Sequence, residues 1–280
     1  MIFILQIAFD YGYTMRIATF TVTRNEKVYL PIWVKNALRS FSPEDIYILD
    51  HQSSDGSVDF PASIGCNVET IYPPENPDAA WFLERIKEKQ RELLKKYDWV
   101  LFAETDEFVL SSNGKTLREM AEEAHSAGYD TIRLSGLDVL QDYKTEPNLS
   151  FSPGENILEN RSRCISYFPP GNLKIENAKT RMTYSKPNFS RSPTDWTRGF
   201  HWVKSGSERI TMRDDLFLVH CHFLDVTEAD RRHSVRRSSS NELKDGSILD
   251  SHDEMLARID KMLEMSCEIP DQLRQIGIFA

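Results

Sequence analysis

Short apolar runs alternate with amphipathic stretches through the first half of the chain. Residues 16–22 (RIATFTV) read as a strand. After Asn25-Glu26, the positions Tyr29, Trp33, Asn36, Ala37 and Ser40 recur at helical spacing. Residues 45–50 (DIYILD) are a second apolar run, ending in a polar turn from His51 to Ser57. Residues 68–72 predict a third strand, stopped by Pro73-Pro74. Over residues 79–97, Phe82, Ile86, Leu93 and Tyr97 share one helical face, with Lys, Arg and Glu on the other. Residues 99–103 (WVLFA) are almost wholly apolar, as a strand buried on both faces should be.

Strands alternating with helices imply parallel pairing and an α/β fold. Ligands in such sheets sit beyond the carboxyl ends of the strands. That rule draws attention to residues 21–26, 50–55 and 104–107. Residues 141–200 are rich in Pro, Asn, Ser and Arg, with broken patterns such as Tyr167-Phe168-Pro169-Pro170-Gly171. They predict short strands and long loops. Residues 216–219 (LFLV) return to buried-strand character and end in His220-Cys221-His222. Residues 225–240 are polar and basic, and residues 253–264 predict an amphipathic helix through Met255, Ile259, Met262 and Leu263.

At 280 residues, 40% hydrophobic and 11% aromatic, the chain can build a large core, and disorder is excluded. The net charge of −9 argues against a nucleic-acid partner, since phosphate binding needs a basic face. The four cysteines, Cys66, Cys164, Cys221 and Cys267, form no CxxC pair, and free thiols in a reducing compartment are expected. No stretch reaches transmembrane length, so the expectation is a soluble cytoplasmic protein, peripheral to a membrane at most. Residues 1–14 form an N-terminal fringe, and residues 15–280 one domain. Within it, residues 15–140 carry the strand–helix pattern, 141–240 the loop-rich part and 241–280 a helical end.

The sharpest chemical feature is WVLFAETDEFVL, where a buried strand runs into Glu104, Asp106 and Glu107. Carboxylates at the end of an apolar strand are costly to desolvate unless a cation or donors compensate. In extended backbone Glu104 and Asp106 point to the same side, an arrangement suited to a divalent ion that also touches ligand phosphates. An exposed acidic turn is the plain alternative. His220 and His222 also share a face, and imidazoles beside carboxylates suit Mn²⁺ or similar metals. His220, nearer the buried run, is the preferred ligand and His222 the alternate; a hydrogen-bonded core histidine is the alternative. Asp50, at a strand's carboxyl end, is a candidate acceptor for a base or ribose, while Asp55-Gly56 is ordinary turn chemistry. The basic run from Arg231 to Arg237 reads either as a solvated helix face or as guanidinium forks for a diphosphate.

These stretches, TFTVTRNEKVYLPIWVKNAL, IYILDHQSSDGS and WVLFAETDEFVL in that order, resemble family 2-type glycosyltransferases of the GT-A fold, and most closely a subgroup with a DxDEF-like motif. RGFHWV and LFLVHCHFLD also look like that subgroup, so the resemblance runs from about Met15 to about Arg232. It departs in two places: Glu104 replaces the motif's first Asp, and His51 replaces an acid common in the turn.

The resemblance implies a Rossmann-like, mostly parallel central sheet flanked by helices, with residues 15–140 as the nucleotide-sugar half and 141–240 as the acceptor half. It implies a nucleotide-diphospho-sugar donor, a glycan or other hydroxyl acceptor, Mn²⁺ or Mg²⁺ as cofactor, and an inverting transfer. Thr21 and Glu26 would line the nucleotide pocket, Asp50 would reach the base or ribose, and Glu104, Asp106 and His220 would hold the metal. Arg231 and Arg232, on a loop closing over the donor, would add to the diphosphate contacts. His201 and Trp202 would form the acceptor wall, with a structural turn histidine as the alternative for His201; Trp196 and Trp202 either stack on a sugar face or pack in the core. Glu107, Asp138, Glu155 and Asp195 are candidate general bases, none singled out. Two alternatives stand beside this reading: a binding module without chemistry, and a nucleotidyltransferase, whose expected glycine-rich loop is missing from residues 21–26.

Overall fold

The computed structural model describes residues 14–74, 79–166, 185–205, 209–238 and 251–280. The expected N-terminal fringe, save Thr14, and the broken stretch at residues 167–171 lie outside the described residues.

β1 (Ile17–Thr23), β2 (Ile46–Asp50), β3 (Asn67–Thr70) and β4 (Trp99–Phe102) make a parallel half-sheet in the order β3-β2-β1-β4. Alternation along β1 sends Ile17 into one apolar cluster and Ala18 and Phe20 into another. Helices α1 (Tyr29–Ala37) and α4 (Leu117–Ser126) close the first cluster, and α3 (Ala79–Leu93) the second. A capping box of Thr116 and Glu119 starts α4. Helices on both faces explain why β1 and β4 are almost entirely buried.

The other half is mixed. β8 (Phe189–Ser190) bridges β4 to the long strand β6 (Thr131–Leu140), antiparallel to both. β11 (Ile210–Phe223) runs parallel to β6 on one side and antiparallel to β5 (Glu107–Ser111) on the other. Beyond β6 lie β7 (Arg163–Ser166) and β12 (Cys267–Glu268). A separate pair joins β9 (Asp195–Trp196) to β10 (Val203–Ser205). The short helix α2 (Asp59–Ser63) precedes β3. The fold is therefore α/β, with a central, mostly parallel sheet flanked by helices, as expected.

Three local expectations change. The helix over residues 79–97 ends at Leu93, and the third strand is Asn67–Thr70. The basic stretch at residues 225–240 forms α5 (Val226–Ser238) rather than a loop. Asp225 Oδ1 accepts from the Glu228 backbone N–H at 2.9 Å, an N-cap, and Val226 and Ala229 pack on Leu140, Phe223 and the helix α6 (His252–Glu264). A last helix, α7 (Asp271–Ile276), follows β12. All four cysteines are free, yet Cys164 and Cys267 meet across β7 and β12 with sulfurs 3.8 Å apart.

Candidate functional site

The carboxyl ends of β1 and β2 carry two loops that lock together. Asn25 and Gln52 both have φ of +54°, a left-handed conformation that Asn tolerates. The Asn25 backbone N–H donates to Ser53 Oγ at 2.9 Å, and the Ser54 N–H donates to Asn25 Oδ1 at 2.8 Å. Asp50 Oδ1 accepts from the Ser53 N–H at 3.0 Å, and Thr21 is fully buried. Both therefore support this rim from within.

Next to it, residues 103–106 turn from β4 into β5, closed by the Glu107 N–H on the Glu104 carbonyl at 2.9 Å. Across this turn Glu104 and Asp106 take different partners. Asp106 faces β11, where its carbonyl accepts from the Cys221 N–H at 2.8 Å. Glu104 turns to Lys186, with Oε2 2.6 Å from Nζ and its side chain 41% exposed. Lys186 is buried and also reaches Glu107 Oε1 at 2.5 Å. Burial works against its charge, but Glu104 and Glu107 hold its pKa above the usual lysine value. Lys186 was not legible beforehand, since it sits alone in a Ser-Lys-Pro-Asn stretch without periodicity.

His220 and His222 share a face of β11, as alternation predicts, with rings stacked 5.7 Å apart. Asp106 Oδ2 lies 3.6 Å from His220 Nε2 and 3.5 Å from His222 Nδ1. One ligand atom from each of these three residues falls within 4.8 Å of the others. The opposite nitrogens are also held: His220 Nδ1 is 3.1 Å from Asp138 Oδ1, and His222 Nε2 is 2.9 Å from His233 Nε2. A carboxylate oxygen and two imidazoles oriented from behind fit a divalent transition metal. The cluster thus takes in both histidines where one was preferred, and Glu104 is not part of it.

Electrostatics sharpen this picture. Burial would raise the Asp106 carboxyl, but Arg232 and His220 hold it well below the usual range. Burial pushes His222 down to about 3, so its imidazole is neutral. Burial opposes a charge on His220 as well, but Asp138 and Asp106 outweigh it and raise its pKa.

Arg231 and Arg232 lie on α5, not on a mobile loop. Arg231 pairs with Glu228 at 2.6 Å. Arg232 is buried, with Nε 3.0 Å from Glu26 Oε1 and Nη1 2.5 Å from Asp106 Oδ2. Glu26, expected to line a nucleotide pocket, therefore anchors an arginine. His233 was also missed, although the Asp225-Val226-Thr227-Glu228 sequence carries a helix-start pattern that would have brought residues 226–238 onto one helix.

Of the four expected bases, two lie inside the protein and two are tied to neighbouring groups. Glu107 and Asp138 are fully buried. Asp195 pairs with Lys87 at 2.5 Å, and Glu155 caps a turn through the Ser150 hydroxyl and the Ser152 N–H. Trp196 is a core residue packed on Phe102 and Phe200. Trp202 is 37% exposed, with the Arg133 guanidinium 5.6 Å from its ring centre. Gly199, with φ of +79°, passes under His201, whose Nε2 would be 2.7 Å from a Cβ there, so the turn requires glycine. Burial and the nearby Lys186 charge push His201 down to about 4. Among the described residues no helix is long and apolar enough to cross a membrane.

No family model and no curated protein matches the chain. Solved structures similar to it include Staphylococcus aureus TarS residues 1–349, with a TM-score of 0.39 and 11% identity, covering 89% of this chain and 69% of that one. Another is the mannosyltransferase PcManGT from Pyrobaculum calidifontis in complex with GDP-Man and Mn²⁺, at 0.32 and 15%, covering 44% and 36%. A third is a nucleotidyl transferase from Methanothermobacter thermautotroptrophicus, at 0.25 and 14%, covering 45% and 62%. The chain is similar to these proteins at a distance.

Proposed function

We propose that the chain is a metal-assisted glycosyltransferase of the GT-A, DxDEF-like type, moving a hexosyl or related sugar from a nucleotide-diphospho-sugar to a hydroxyl acceptor with inversion. The observation that carries this reading is the convergence of Asp106, His220 and His222 beyond the carboxyl end of β4, beside the loops of β1 and β2, where open α/β sheets bind ligands. The resemblance of the sequence motifs gives that geometry its chemistry.

Asp106, His220 and His222 would hold the Mn²⁺ or Mg²⁺, which supplies Lewis-acid neutralisation of the departing diphosphate. Asp138 and His233 hold the outer nitrogens of the two rings, so that Nε2 of His220 and Nδ1 of His222 face inward. The rim built from Asn25, Asp50 and Ser53 offers the polar edge for the nucleoside. Trp202, backed by Arg133, offers a sugar a flat apolar face. The four carboxylates first considered as base are internal or already engaged. We assign that role to Glu104 by its place: it follows β4 beside Asp106, whereas Asp195, equally exposed and likewise paired with a lysine, lies on β9.

Release of free nucleoside diphosphate from a panel of nucleotide-sugars, with and without Mn²⁺, tests the reading. Turnover that needs Mn²⁺ and disappears in Asp106→Ala is expected, and Glu104→Gln should lower kcat while donor binding persists. Donor binding without any turnover would leave a binding module and remove the enzyme.

A further inference from the structure

We propose that Arg232 is the resident counter-cation of the site, which a divalent ion has to displace from Asp106 and which an incoming diphosphate is suited to receive. This rests on the metal-site reading above. Arg232 Nη1 lies 2.5 Å from Asp106 Oδ2 and 3.5 Å from His222 Nδ1, so it lies against two of the three atoms that would face the ion. A carboxylate oxygen engaged this way is less available as a ligand, and a guanidinium repels a dication at such range, most strongly where water is excluded. The side chain is 4% exposed, so solvent does not take over its charge.

The other end of the guanidinium is fixed. Nε donates to Glu26 Oε1 at 3.0 Å, and the Tyr29 ring centre lies 5.2 Å away. The Nη end can thus change partner while Nε keeps its own. The partner that suits it is anionic, planar-fork compatible and able to enter the same space, which describes diphosphate oxygens. Cation and diphosphate then help each other bind beyond their direct contact, because the anion removes the competitor of the cation.

Mn²⁺ binding to the full chain, followed by the paramagnetic resonance of free Mn²⁺ without any donor, tests this. Arg232→Met should bind Mn²⁺ about tenfold more tightly than the unaltered chain or better. Arg232→Lys, which keeps the charge and loses the fork, should fall between them, and it decides the matter alone if the methionine variant does not fold. Inorganic pyrophosphate should raise Mn²⁺ affinity by a larger factor in the unaltered chain than in Arg232→Met. Equal or weaker Mn²⁺ binding by folded variants, or an equal gain from pyrophosphate, overturns the proposal and leaves the metal site standing. No Mn²⁺ binding by any of the three chains overturns both.

Discussion

Asp138 Oδ1 lies 3.1 Å from His220 Nδ1, within a strand pair whose register sets the two residues side by side. A fully buried carboxylate behind an imidazole fixes the orientation of the ring, with Nδ1 toward Asp138 and Nε2 toward Asp106. In the proposed metal site Asp138 would therefore position the ring.

Asp138→Asn keeps the shape and loses the charge. We expect Mn²⁺ affinity to fall by about 10–100-fold, the usual effect of losing such a supporting partner. Mn²⁺ titration of the folded variant checks it, and unchanged affinity would show that the ring is held by packing alone.

From sequence, His220→Ala was expected to weaken metal binding more than His222→Ala. The geometry gives each histidine one inward nitrogen, so both variants should lose more than the roughly 10–100-fold expected of a supporting residue. His233→Ala, which reaches the site through His222, should stay within that range. An intact affinity in His222→Ala would restore the earlier order.

Lys186 neutralises the fully buried Glu107. Lys186→Met leaves that carboxylate without its counter-ion and should cost about 3–5 kcal/mol of stability. Adding Glu107→Gln should recover part of the loss. Urea unfolding of the single and double variants measures it, and a second change that only adds to the first would contradict the pairing.

His201 has a pKa of about 4 in the folded chain against an ordinary value of 6.5. The unfolded chain therefore takes up this proton first as pH falls. The contribution is fully present above about pH 6.5, declines between there and about pH 4, and is spent below. Urea midpoints at pH 7 and pH 4.5 should differ less in His201→Asn than in the unaltered chain. A proton resonance of His201 titrating near 6.5 would refute the shift.

The parallel half of the sheet was legible because its strands are short, apolar and separated by helical periodicity. The histidine face was legible because period-two alternation needs only the strand. The Glu104–Asp106 geometry was not, since a tight turn breaks that alternation and nothing in ETDE announces it. Lys186 reaches Glu104 across 82 residues and Asp138 reaches His220 across another 82, pairings that no local pattern records, whereas His233 lies within reach of a helix-start signal that charge alone obscured. The basic run was read by charge, while its helix is set by the Asp225 cap and an apolar contact on one side.

Arg232 and His233 are neighbours on α5, yet each addresses a different nitrogen of the His222 ring, at 3.5 Å and 2.9 Å. One imidazole is thus gripped at both poles by a single rigid rod. Whatever pulls the rod loosens both jaws together, so the readiness of that ring is carried by the seating of the whole helix, and the contacts of Val226 and Ala229 far from the chemistry become its set-screws.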